Sequence, residues 1–140
     1  MAMIVQRQKT HEFRTRRYPP TVERVWFYET APTSAITYIC HVGPVVVRPP
    51  RASAGESRVA DRLKEDGYGN ADYNAHHPDF ERYEYAYPVL SCYRLKRPIG
   101  LVEMKDTYGI QGAPRGMVYV PKRMKDDVKW QEQEEVWSTL

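Results

Sequence analysis

Between residues 24 and 47 the chain is dominated by β-branched and aromatic side chains. Val25 and Phe27 alternate with Trp26 and Tyr28, the two-residue period of a strand with both faces partly covered. A turn at Ala31–Ser34 separates this run from a second one carrying Ile36, Thr37, Tyr38, Ile39 and Val42, so the pair predicts an antiparallel hairpin. Gly43-Pro44 predicts a bulge or kink before Val45–Val47. The same period returns over residues 85–95, where Tyr87, Val89, Ser91 and Tyr93 alternate with Ala86, Pro88, Leu90 and Cys92. Pro88 lacks a backbone donor and requires an edge or a bulge. Met117–Val120 reads as a short last strand. Helical spacing is confined to short stretches: residues 2–9, Glu56–Glu65, one turn at Leu101–Lys105, and a final helix from Lys122 to about Trp137 with Pro121 at its start. In that last segment Met124, Val128 and Gln131 share one side, and Trp130 and Trp137 lie seven apart.

The order is strands, a polar irregular stretch over residues 51–84, more strands and a helix. Parallel β-α alternation is absent, which argues against a doubly wound sheet. The expectation is an α+β chain: a small, mostly antiparallel barrel with peripheral helices, in a single domain spanning 1–140, with the barrel over about residues 4–120 and the C-terminal helix over about 121–138. A hydrophobic fraction of 41% suffices for one core. The two cysteines, Cys40 and Cys92, sit in apolar strand-like runs without Cys-x-x-Cys spacing, which reads as buried free thiols and not a zinc site. No segment calls for a metal or another cofactor. His76 and His77 are adjacent, unlike the helical spacing of zinc ligands. No stretch reaches the roughly 18 apolar residues of a membrane span. The N-terminus turns basic too soon for a secretion signal, which predicts an intracellular protein, cytoplasmic or nuclear.

Charge changes this picture more than composition does. The net charge is only +3, yet residues 1–24 hold six Lys/Arg against two Glu, and residues 51–85 hold five against eight Asp/Glu. Within the first block, Lys9, Arg14, Arg16 and Arg17 surround a single carboxylate, Glu12, just before Tyr18. Lys offers a compact charge and Arg a planar fork for phosphate or a base edge. Glu12 can accept from an exocyclic amino group, and Tyr18, Trp26 or Tyr28 can stack on a base. The structural alternative has Glu12 and Arg14 bracing the loop as a local ion pair, with Arg16 and Arg17 as plain surface cations.

With these residues in place, the chain resembles the ASCH branch of the PUA-like superfamily, whose loop has the form Gly-x-Lys-x-x-Glu-x-Arg. Lys9-x-x-Glu12-x-Arg14 matches three of the four marked positions, and Arg7 stands where the family has Gly. Val25–Tyr28, Ala31-Pro32, Ala35-Ile36 and His41–Val45 follow its first hairpin. Arg97-Pro98-Ile99 and Ala113-Pro114-Arg115 resemble its later Pro-containing landmarks. The resemblance implies a PUA-like β-pseudobarrel and a cleft that binds RNA, single-stranded DNA or a modified nucleotide, with Lys9, Glu12 and Arg14 at its centre.

Two competing functions stand beside binding, the first of them implied by the resemblance. Some small members are amidohydrolases acting on acylated cytidines, with a nucleophilic Thr three residues after the Lys. That position here is Glu12, and Thr10 lies directly beside Lys9, so binding is favoured over catalysis. A protein-interaction domain is the other alternative. The Trp130/Trp137 side of the last helix would support a homodimer.

Overall fold

A computed structural model describes residues 1–49 and 62–140 of the chain. The fold is α+β and its strands pair antiparallel. In chain order the described elements are α1 (Ala2–Val5), β1 (His11–Arg14), β2 (Arg24–Glu29), β3 (Ala35–Val42), β4 (Val46–Val47), α2 (Asn70–Asn74), β5 (Tyr85–Gly100), α3 (Leu101–Asp106), α4 (Lys122–Asp127) and β6 (Glu134–Ser138), with single 3₁₀ turns at Pro78–Phe80 and Trp130–Glu132. The sheet runs β1-β5-β3-β2, and β4 and β6 also pair with the 16-residue β5.

The chain divides into two compact units, and β5 passes from one into the other at Leu90/Ser91. The unit made of Ala2–Glu23 and Val42–Leu90 contains β1, β4, α2 and the start of β5. In it, Phe13 pairs with Ala86, and Ala86 with Val46, so these three share one face of the strands. That face is apolar because Leu63, Tyr73 and Phe80 pack on it. Phe13 meets Tyr73 at 5.4 Å and Phe80 edge-on at 5.3 Å, geometries that suit the quadrupoles of aromatic rings. Tyr73 is fully buried, and its hydroxyl donates to the carbonyls of Val46 and Glu84. Burial pushes its pKa up to about 12. Arg48 is buried as well: its guanidinium donates to the Phe80 carbonyl at 2.9 Å and the Glu81 carbonyl at 2.6 Å and lies 5.2 Å from the Tyr73 ring. One cation thereby ties the 3₁₀ turn to the aromatic cluster. Pro88 finds its place at the start of β1, opposite His11, where its ring approaches the position that a Cβ on Gly43 would occupy (2.9 Å).

The other unit, Met1 with Arg24–His41 and Ser91–Leu140, has its own core of Ile36, Ile39, Leu95, Ile99, Met104, Ile110 and Met124. The hairpin β2–β3 forms as the alternation predicts, and its turn contains a cis Ala31–Pro32 bond. The irregularity lies between Phe27 and Tyr28.

Several expectations are corrected. The basic loop contains a strand, β1, because His11–Arg14 completes the edge of β5 and places Phe13 in the core. The final helix stops at Asp127 and does not reach Trp137. Two carboxylates in its last turn oppose the helix dipole, and Val128 turns extended. Trp130 then packs edge-on against Tyr93 at 5.2 Å and under Arg24 at 4.1 Å, and Glu134–Ser138 becomes β6. Since β6 occupies the flank of Ser91–Arg94, Met117–Val120 forms no strand, and Met117, Val118 and Tyr119 are exposed. Most of the helix expected at Glu56–Glu65 lies outside the described residues. Cys40 and Cys92 are buried and not disulfide-bonded, as read from the sequence.

Candidate functional site

β1 alternates, so its two faces differ in chemistry. Phe13 turns to the aromatic core, while Glu12 and Arg14 share the opposite face, paired in register with Tyr87 and Tyr85 of β5. Lys9, just before the strand, lies 3.6 Å from Glu12, and both side chains are mostly buried, with 24% and 17% exposure. That separation is an ion pair and is too long for a hydrogen bond, so both groups retain hydrogen-bonding capacity. Lys9 Nζ also lies 5.7 Å from the Phe13 ring.

Arg14 lies over the buried Tyr18 ring at 5.2 Å. Tyr18 is held by Tyr87: the rings are 4.4 Å apart, and the Tyr18 amide donates to the Tyr87 hydroxyl at 2.7 Å. Burial pushes the Tyr18 pKa up to about 12, with Arg14 pulling it down and Glu12 and Tyr87 adding to the rise. Its phenol is therefore neutral at physiological pH. Arg14 Nε is buried and, among the described residues, has no acceptor. A buried guanidinium N–H without a partner carries a desolvation cost that a ligand oxygen or ring nitrogen would relieve.

A polar knot anchors the start of β1. Asn70 is fully buried, and its amide donates to Thr10 Oγ1 at 3.0 Å and to the Lys64 carbonyl at 2.8 Å. Thr10 Oγ1 lies 2.9 Å from His11 Nδ1. Burial lowers the His11 pKa, against the opposing pull of Asp66. Gly67 closes the knot; a Cβ there would stand 2.5 Å from Thr10 Oγ1.

Of the residues selected from sequence, Lys9, Glu12, Arg14 and Tyr18 are gathered by β1 and the segment after it. Arg16 and Arg17 are exposed beyond the strand end. Trp26 and Tyr28 lie on β2 in the other unit, packed against the Ile36/Ile39 core. Sequence reasoning missed Tyr85 and Tyr87. Their shared parity in the 85–95 run placed them on one face, but only the β1–β5 register sets them against Arg14 and Glu12. Among the described residues no group of three His, Cys, Asp or Glu could hold a metal ion, and no helix is long and apolar enough to cross a membrane.

Solved structures share this architecture. The crystal structure of ASCH from Zymomonas mobilis superposes with a TM-score of 0.57 at 24% identity, covering 89% of this chain and 83% of that one. Its Tyr-to-Phe variant gives a TM-score of 0.61 at 21% identity over 90% and 86% of the two chains, and its Ser-to-Ala variant 0.60 at 22% over 90% and 84%. The chain has the fold of an ASCH domain. No protein-family model and no curated protein sequence matches it. The ASCH fold accounts for the mostly antiparallel strands and short helices; it does not by itself assign a ligand.

Proposed function

We propose that the chain is a binding module for RNA, single-stranded DNA or a modified nucleotide, and that the ligand engages Lys9, Glu12, Arg14 and Tyr18. The observation that carries this reading is the buried Arg14 Nε without an acceptor, stacked on Tyr18 and two residues from a carboxylate that holds Lys9 only at 3.6 Å. Cation, carboxylate and cation on one strand edge present donors and an acceptor together, as a nucleotide's phosphate and base edge require. Exposed Arg16 and Arg17 add a sequence-independent attraction for the backbone. The amidohydrolase reading fares worse: the position three after Lys9 is Glu12, and the Thr10 hydroxyl is engaged by Asn70 and His11.

Fluorescence anisotropy with labelled RNA and single-stranded DNA oligomers tests the proposal. Affinity falls with salt, with a slope of about −0.7 per phosphate contact on a single strand. Lys9→Ala with Arg14→Ala abolishes binding, while Arg16→Ala with Arg17→Ala weakens it evenly across sequences. Double-variant binding equal to the parent, with the fold intact, overturns the assignment. Incubation with acylated cytidines separates the hydrolase reading, which requires turnover above the buffer rate.

A further inference from the structure

The face that carries Glu12 and Arg14 continues beyond β1. Tyr85 of β5 pairs with Arg14 on one side and with Val47 of β4 on the other, so Arg14, Tyr85 and Val47 form one row across three strands of the same unit. Side chains directly opposite one another on antiparallel strands have Cβ atoms about 4.5–5.5 Å apart, which puts Tyr85 within immediate reach of both neighbours. The next row, Phe13, Ala86 and Val46, faces the aromatic core, so the Tyr85 row faces away from it. The outer face of an antiparallel sheet is ordinarily polar. Here it presents a half-buried Tyr85 beside Val47, which is 47% exposed. Every other aromatic ring described in this unit packs against another ring, whereas Tyr85 packs against none among the described residues.

From this row we propose that Tyr85, with Val47 at its edge, is a stacking platform for a second, unpaired base, so that the site takes successive nucleotides of a single strand. The inference rests on the binding function proposed above. One nucleotide engages Lys9, Glu12 and Arg14, and the base of its neighbour lies on Tyr85. Two observations meet here: Arg14 Nε is a buried donor without an acceptor among the described residues, and the ring one strand away is not packed against another. A nucleic-acid strand supplies both complements in its repeating unit, an anionic oxygen for the guanidinium and a flat π-face for the ring. The exposed Arg16 and Arg17, beyond the end of β1, match the negative charge of the continuing backbone. Stacking on Tyr85 needs a base free of its own stack, which selects single strands, loops and ends over a duplex.

The test uses the full chain and a labelled adenine trinucleotide, as RNA and as DNA, with a partner probe whose central residue is abasic. The abasic probe keeps every phosphate but has no two neighbouring bases. The parent should bind it about 5- to 150-fold more weakly than the intact trinucleotide, the factor carried by one stacked base. Tyr85→Leu keeps an apolar side chain and removes the ring: it should lose affinity for the intact probe by the same factor, lose nothing further on the abasic one, and keep the parent's salt dependence, which counts phosphates. Tyr85→Phe should bind like the parent. Equal binding of both probes by the parent overturns the platform without any variant. So does a folded Tyr85→Leu that binds like the parent while Lys9→Ala with Arg14→Ala does not; that result leaves the binding function standing. An equal loss in Tyr85→Phe and Tyr85→Leu also overturns it, since the hydroxyl and not the ring would then make the contact. A parent that binds neither probe, nor any longer single strand, overturns the binding function and the platform together.

Discussion

Arg14→Met separates a binding residue from a structural brace. The substitution keeps an unbranched stem against Tyr18 and removes the guanidinium. Two opposing contributions set the stability change. Loss of the cation over the Tyr18 ring costs about 0.5–1 kcal/mol at a partly exposed site. Removal of a buried N–H without an acceptor relieves a desolvation penalty of about 1–3 kcal/mol. The second outweighs the first, so the free protein is expected to gain about 1 kcal/mol. With a urea m-value of about 2 kcal/mol/M, the midpoint rises by about 0.5 M. Binding moves the other way: loss of a charge-assisted contact worth about 1.5–3 kcal/mol weakens a nucleotide ligand roughly 10- to 100-fold. Urea unfolding monitored by tryptophan fluorescence, alongside anisotropy titrations of the same preparation, reads both. A variant destabilised by more than about 1 kcal/mol with unchanged ligand affinity would refute the reasoning, since Arg14 would then be a brace.

Three further perturbations probe the scaffold beneath the site. Gly67→Ala drives a Cβ to 2.5 Å from Thr10 Oγ1 and 3.1 Å from Asn70 Nδ2, and should destabilise by about 1–3 kcal/mol in chemical unfolding. Arg48→Met leaves the Phe80 and Glu81 carbonyls without their donor, so a loss of about 2–4 kcal/mol is expected; a neutral variant would dissociate Arg48 from the stability of the aromatic cluster. The His11 pKa is lowered on folding, so its neutral form is the one the native state favours. Its contribution is therefore present above the unfolded histidine pKa of about 6.5 and is lost as pH falls from there through the folded value. His11→Gln should flatten the stability–pH curve in that window, measured as urea midpoints between pH 7.5 and 5; an unchanged slope would assign the effect to other groups.

How legible the chain was depends on which residues carried the signal. The β2–β3 hairpin was readable because Val25–Tyr28 and Ile36–Val42 alternate with a turn between them, and β5 because the same period returns from Tyr85 onward. The final helix was misread from residue 128 onward: Val128 and Trp130 fit helical spacing, but spacing cannot show that β5 leaves a flank open for Glu134–Ser138. Met117–Val120 has strand composition yet no strand partner among the described residues.

The residue chemistry of the basic segment was determined by sequence alone: the cations at 9, 14, 16 and 17, the carboxylate at 12, and the aromatic at 18. Tertiary structure decided which of them lie together. Pairing with β5 converts the segment into a strand, and the two-residue period then sorts Phe13 into the core and Glu12 and Arg14 onto the opposite face. Tyr87, 69 positions from Tyr18, completes that face, while Trp26 and Tyr28 are drawn into a different core. Partners so far apart in sequence are set by register and burial, which depend on the whole sheet and leave no local mark in the chain.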